Sequence, residues 1–189
     1  MPRPPVLSIL DWKAILASGM PFEEWLQTVE NEQHRDAMRL ALAEQAIEPQ
    51  VEALLGALPR PVHVLAIAEG WCGDVRRHVP VLQRLAQAAP KLEVRYISRE
   101  QHKDVFSRFL TNGGEAIPKF VFVSDQYVEC GNWGPMPAAD RALLARGKAC
   151  GQVGAARAKV SQSYQMDADR RIVVRELVDL ICTAVCTSP

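Results

Sequence analysis

The stretch VHVLAIAEGWCGDVRRHVP, residues 62–80, constrains the fold of this chain more than any other. Its first eight residues, 62–69, are an almost unbroken apolar run rich in β-branched side chains, which suits a strand covered on both faces, as in a parallel sheet. Helical periodicity takes over at once: across 72–90, Val75, Val79, Leu82 and Leu85 form an apolar stripe beside a solvated face with Arg76, Arg77 and Arg84. LEVRYIS at 92–98 reads as a second strand, so the segment from 62 onward is a βαβ unit. QHKDVFSRFLTNGG, 101–114, reads as a helix ended by glycine. KFVFVS at 119–124, a two-residue Asp125-Gln126 turn and YVECGNW at 127–133 read as an antiparallel hairpin.

The flanks are helical. Residues 9–58 place apolar side chains at mixed three and four spacings, with Pro21 at a helix start and Pro49 separating or kinking two pieces. LPRPV at 58–62 reads as a connector. Residues 137–151 return to helix, 151–168 are polar without a clear element, and RRIVVRELVDLICTAV closes the chain as an amphipathic helix.

Lysine plus arginine and aspartate plus glutamate balance at 22 each. That removes the basic footprint of a nucleic-acid binder and offers no polybasic patch to a membrane. The five cysteines fit neither a disulfide framework nor a paired zinc site, and no signal peptide is read at the start, so a reducing cytoplasm is the expected setting.

Four features in order resemble the thioredoxin family. Trp71-Cys72-Gly73 resembles the active-site turn. Pro80 stands where that family kinks its active-site helix. Ile117-Pro118 resembles the pair whose proline is cis and lies against the reactive cysteine, and Gly134 falls where a glycine completes the substrate-facing rim. A group of bacterial thioredoxin-like proteins is more similar still, marked by E-x-WCGD, LTNGG-x-x-IPKF and WGP-x-P. Here those motifs are Glu69 to Asp74, Leu110 to Phe120, and Trp133 to Pro137. The resemblance implies an α/β thioredoxin fold, βαβ plus ββα with a central mixed sheet. The thioredoxin-like domain would span 62–189 with an additional C-terminal helix, and 1–61 would form a helical extension packed on it.

Two departures bear on chemistry. Val75 stands in place of the resolving cysteine, and Ala66 where thioredoxins usually have a buried aspartate that assists that cysteine. Without a second thiol the buried base has no task, so the losses agree with each other. What remains is monothiol exchange. A thiol in the first turn of a helix is favoured as thiolate by unpaired N–H groups and the helix dipole. Arg76 acts in the same direction, whereas Glu69 and Asp74 oppose it. Glu69 could also accept a proton, although an exposed carboxylate at a strand end is the plainer reading, and Asp74 could simply support the first helical turn.

The catalytic candidate is therefore Cys72, with Trp71, Gly73, Ile117, Pro118, Trp133 and Gly134 as a substrate shelf along which an extended peptide could pair. Expected partners are protein thiols or disulfides, with glutathione as a releasing thiol. No metal and no cofactor is expected. The other expectation is a redox-inactive module of the same fold that holds a protein. His78, turned about 120° from Cys72 around the helix, is expected in solvent, as is Arg77. Cys130 reads as a small hydrophobe, Cys182 and Cys186 as ordinary thiols, and Cys186 on a loosely held tail as a conceivable resolving thiol.

Overall fold

In the computed structural model, which describes residues 7–186, a four-stranded mixed sheet has the order β2-β1-β3-β4. Residues 1–6 and 187–189, which close the two expected segments, lie outside the described residues. Strand β1 (Val62–Ile67) is the apolar run of the sequence, and it is central because it pairs in parallel with β2 (Leu92–Ile97) and antiparallel with β3 (Lys119–Ser124). Every residue of β3 is buried, and β4 (Glu129–Trp133) forms the antiparallel edge beside it. The expected thioredoxin architecture is the observed one.

Helix α5 (Gly73–Ala88) joins β1 to β2 and runs through Pro80 without a break. Before the sheet come α1 (Trp12–Ser18), α2 (Phe22–Gln27), α3 (Glu32–Glu44) and α4 (Pro49–Gly56). Pro49 occupies the first turn of α4, where its missing N–H costs nothing. After the sheet come α7 (Ala138–Ala149), α8 (Val153–Met166) and α9 (Arg171–Cys186), the last packed on β4, β3 and α5. The polar stretch 151–168 is thus helical, because its few apolar side chains, Ala156 and Val160, are buried.

The N-terminal helices share the core of the sheet. The Trp25 ring stacks on Tyr96 at 4.9 Å between centroids, and its indole donates to the Ala68 carbonyl at 3.1 Å. Just before α2, Met20 exchanges two backbone hydrogen bonds with Tyr96 (2.9 and 2.8 Å), covering part of the β2 edge.

Two local expectations are corrected. The helix expected over 101–114 is short: α6 (Lys103–Phe106) passes into a 3₁₀ turn at Ser107–Phe109, and the remainder is a tight turn in which Thr111 and Gly114 exchange backbone hydrogen bonds of 2.9 and 3.0 Å. Asn112 and Gly113 have φ of 51° and 75°, the left-handed pair that an Asn-Gly turn favours over helix. The hairpin loop is also longer than Asp125-Gln126. The Val128 carbonyl accepts from Ser124 N, Ser124 Oγ accepts from the amides of Gln126 and Val128, and Tyr127 takes a φ of 59°.

Leu26 of α2 is fully buried in the same apolar cluster as β1 and β3. Leu26→Ala is expected to lower stability by about 2–5 kcal/mol in a single unfolding transition, measured by urea denaturation followed by both tryptophan fluorescence and far-UV dichroism.

Candidate active site

Cys72 caps the N-terminus of α5, with φ −77° and ψ 130°, and is half-buried. The strand-to-helix turn is closed by a hydrogen bond from Cys72 N to the Glu69 carbonyl at 3.1 Å, and the first helical bond runs from Arg76 N to the Cys72 carbonyl. The Cys72 thiol donates to the Ile117 carbonyl oxygen at 3.4 Å. The Ile117–Pro118 bond is cis, as is Gly134–Pro135, a second such bond that no sequence signal announced.

These two loops meet at Gly134. It is buried with φ 116°, and a Cβ there would collide with the carbonyl oxygen of Pro118. Only glycine satisfies both the positive φ and the close backbone approach. The Gly134 carbonyl then accepts from the buried Lys119 ammonium at 2.8 Å and from Arg141 at 3.4 Å. Burial, reinforced by the Arg141 charge, pushes the Lys119 amine down to about 8.

Cys72 opens on a cleft of about 310 Å³. Of the expected site residues, Trp71, Asp74 and Ile117 line it together with Cys72. Gly73 is exposed in the first turn of α5, while Pro118, Gly134 and Trp133 are buried behind the cleft wall. Trp133 is therefore not part of an open shelf. It is 2% exposed, stacked on Phe120 at 5.3 Å, and its indole donates to Glu176 of α9 at 2.6 Å. The lining also includes the turn at 111–114 with Glu115, which belongs to the LTNGG-x-x-IPKF motif, and Arg99, Arg141, Leu144 and Lys148, which the sequence reading did not single out.

The groups expected to tune Cys72 have other partners. Glu69 is half-buried rather than exposed: its carboxylate accepts from the Trp71 indole at 2.8 Å and from the Arg99 guanidinium at 3.1 Å. Trp71 itself is 61% exposed, with Arg99 5.3 Å from its ring centroid. Arg76 donates to the Trp71 carbonyl at 3.0 Å and lies 2.9 Å from His34 Nε2. Asp74 accepts from the Tyr164 hydroxyl at 3.0 Å. Burial raises the Asp74 carboxyl above its ordinary value, outweighing the Tyr164 hydrogen bond and the Arg77 charge.

His78 and Arg77 are not in solvent. His78 is 0% exposed, packed edge-on against Trp133 and Tyr164 at 5.1 and 5.5 Å. Arg77 lies 4.3 Å over the Tyr164 ring and donates to the carbonyls of Tyr164 and Asp167. The reason is α8, which covers this face of α5 and whose polar sequence gave no sign of doing so. Burial, then the charges of Arg77 and Arg170, push the His78 imidazole down to about 3.

The remaining cysteines stand away from the cleft lining. Cys130 is half-buried, as expected, and Cys186 sits in the last turn of a packed helix rather than on a loose tail. Among the described residues there is no cluster of three metal-ligating side chains, and no helix is long and apolar enough to cross a membrane.

A family model described as Thioredoxin matches residues 19–149. No curated protein matches the chain. Among solved structures, a protein of unknown function from Pseudomonas aeruginosa is similar at 16% identity with a TM-score of 0.65, covering 90% of this chain and 99% of that one. An HIV epitope scaffold is similar at 17% identity with a TM-score of 0.62, covering 69% and 81%. At these identities the likeness is one of fold.

Gly134→Ala is expected to cost at least about 2 kcal/mol, read as a shift in urea midpoint. His78 gives a pH test. Its folded-state value near 3 lies below the ordinary 6.5, so the unfolded chain binds a proton that the folded chain refuses. Stability is full above pH 6.5 and falls as pH drops below it. The expected loss from this group is about 1.4 kcal/mol between pH 7.5 and 5.5, and His78→Gln removes it. Asp74 and Asp140, whose carboxyls are raised by burial, add stability as pH falls and so oppose this trend, and the comparison with His78→Gln isolates the imidazole.

Proposed function

Because the chain belongs to the thioredoxin family, whose model matches residues 19–149, we propose that it performs thiol–disulfide exchange with a single active-site cysteine, Cys72. The observation that carries this reading is that, of the five cysteines, Cys72 alone lines the cleft, at the N-terminus of α5. The thiolate attacks one sulfur of a partner disulfide and forms a mixed disulfide. Val75 is fully buried at the position of a resolving cysteine, so release falls to an external thiol such as glutathione or to a second thiol on the substrate. Trp71 and Ile117 supply the apolar wall beside the sulfur, and Pro118 and Gly134 hold that wall from behind.

The second reading is a redox-inactive module that holds a protein partner through the same surface. The large exposed face of Trp71 and the replacement of both the resolving cysteine and its buried base favour it.

One experiment separates the two. With the neutral reagent bis(2-hydroxyethyl) disulfide, the full chain is expected to acquire an adduct on Cys72, located by peptide mapping and removed by excess glutathione. Cys72→Ser loses that adduct and keeps those on the exposed Cys150 and Cys186. A Cys72 that stays unmodified while the exposed thiols react leaves the binding module as the function.

A further inference from the structure

The charges around the Cys72 cleft are not evenly paired. Glu69 and Glu115 share the single cation Arg99, at 3.1 and 3.5 Å. The Asp74 carboxyl is occupied by the Tyr164 hydroxyl. Arg141, Leu144 and Lys148 sit at i, i+3 and i+7 on α7 and face the cleft as one stripe. Among the described residues no carboxylate comes within ion-pair distance of Arg141 or Lys148. Arg141 spends one nitrogen on the carbonyls of Met136 and Gly134, which fixes its charge at the cleft wall without neutralising it. Glu69, Glu115 and Asp74 equal Arg99, Arg141 and Lys148 in number, so the two unpaired cations make the α7 side of the cleft locally positive without giving the cleft a net charge. Thr111, also in the cleft lining, has a hydroxyl oxygen shielded from solvent with no hydrogen-bond partner.

We propose that the disulfide received by Cys72 is a small one bearing carboxylates, of about tripeptide size, with Arg141 and Lys148 holding its anionic groups. This rests on the exchange reading above. Size argues for a small ligand: 310 Å³ is at the lower end of small-molecule sites. Spacing agrees. Seven residues of helix separate the two cations by about 10.5 Å along the axis, and three extended residues reach about 10 Å. The Cys72 thiolate attacks one sulfur, a Cys72–ligand S–S bond forms as the ligand's own S–S bond breaks, and the other half leaves as a thiolate that takes a proton from water. One disulfide is consumed and one is made, so no outside oxidant or reductant is required.

The test compares three disulfides on the full chain: glutathione disulfide, which is anionic; bis(2-hydroxyethyl) disulfide, which is neutral; and cystamine, which is cationic. Adducts on Cys72 are counted against those on exposed Cys186 in the same molecule. At low salt the Cys72 preference for glutathione disulfide over cystamine is expected to reach about tenfold, to shrink as salt is added, and to invert in Lys148→Glu. Lys148 is exposed with no ion pair, so that variant leaves the fold intact, and Lys148→Arg keeps the preference. If Cys72 reacts with all three reagents in the same ratios as Cys186, the inference fails and the exchange reading stands. If Cys72 forms no adduct with any of them, the exchange reading itself falls.

Discussion

The approach of one backbone to another, at Gly134 and Pro118, is the constraint on which the site depends. No side chain fits between them, so the end of β4 and the start of β3 are locked at contact distance. From that junction the Gly134 carbonyl gathers Lys119 and Arg141, which orients the first turns of α7. On its other side the same loop presents the Ile117 carbonyl to the Cys72 sulfur. The cleft has its shape because the Pro118–Lys119 segment and Arg141 of α7 both meet a residue that lacks a side chain, while Ile117 beside that junction holds Cys72.

The thiol site is accordingly a shared construction. β1 and α5 deliver Cys72, the Ile117–Pro118 loop backs it, and α7 closes the opposite wall with two cations. The framework accommodates valine at position 75, which packs into the core as any apolar residue of that stripe would. Ala66 is likewise fully enclosed in β1. Asp74, which shares the cleft lining with Cys72, comes from the turn itself and is held by Tyr164 of α8.

Much of this was legible in the chain. The 62–69 run could be read as a central strand because its residues are apolar on both faces, and the motifs at 69–74, 110–120 and 133–137 placed the two loops that meet at the site. Sequence reading failed where the deciding partner was remote or weakly patterned. His78 and Arg77 looked solvated because α5 carries a clear apolar stripe elsewhere, and the helix that covers them begins 75 residues later with few apolar positions. Asn112-Gly113 falls inside the helix expected over 101–114, although its own turn preference is the stronger local signal. Arg141 and Lys148 passed unnoticed because charges on a helix face ordinarily signify water.

The matched region stops at residue 149, yet the groups that satisfy its interior do not. Tyr164 receives the buried flank of α5, and Glu176 takes both the Trp133 indole and the backbone amide of Ala138. An abridged chain ending at the family boundary would leave an orphaned carboxyl, an orphaned indole and an uncovered imidazole in place of a finished wall. The last two helices thus complete the walls around the Trp71–Asp74 turn.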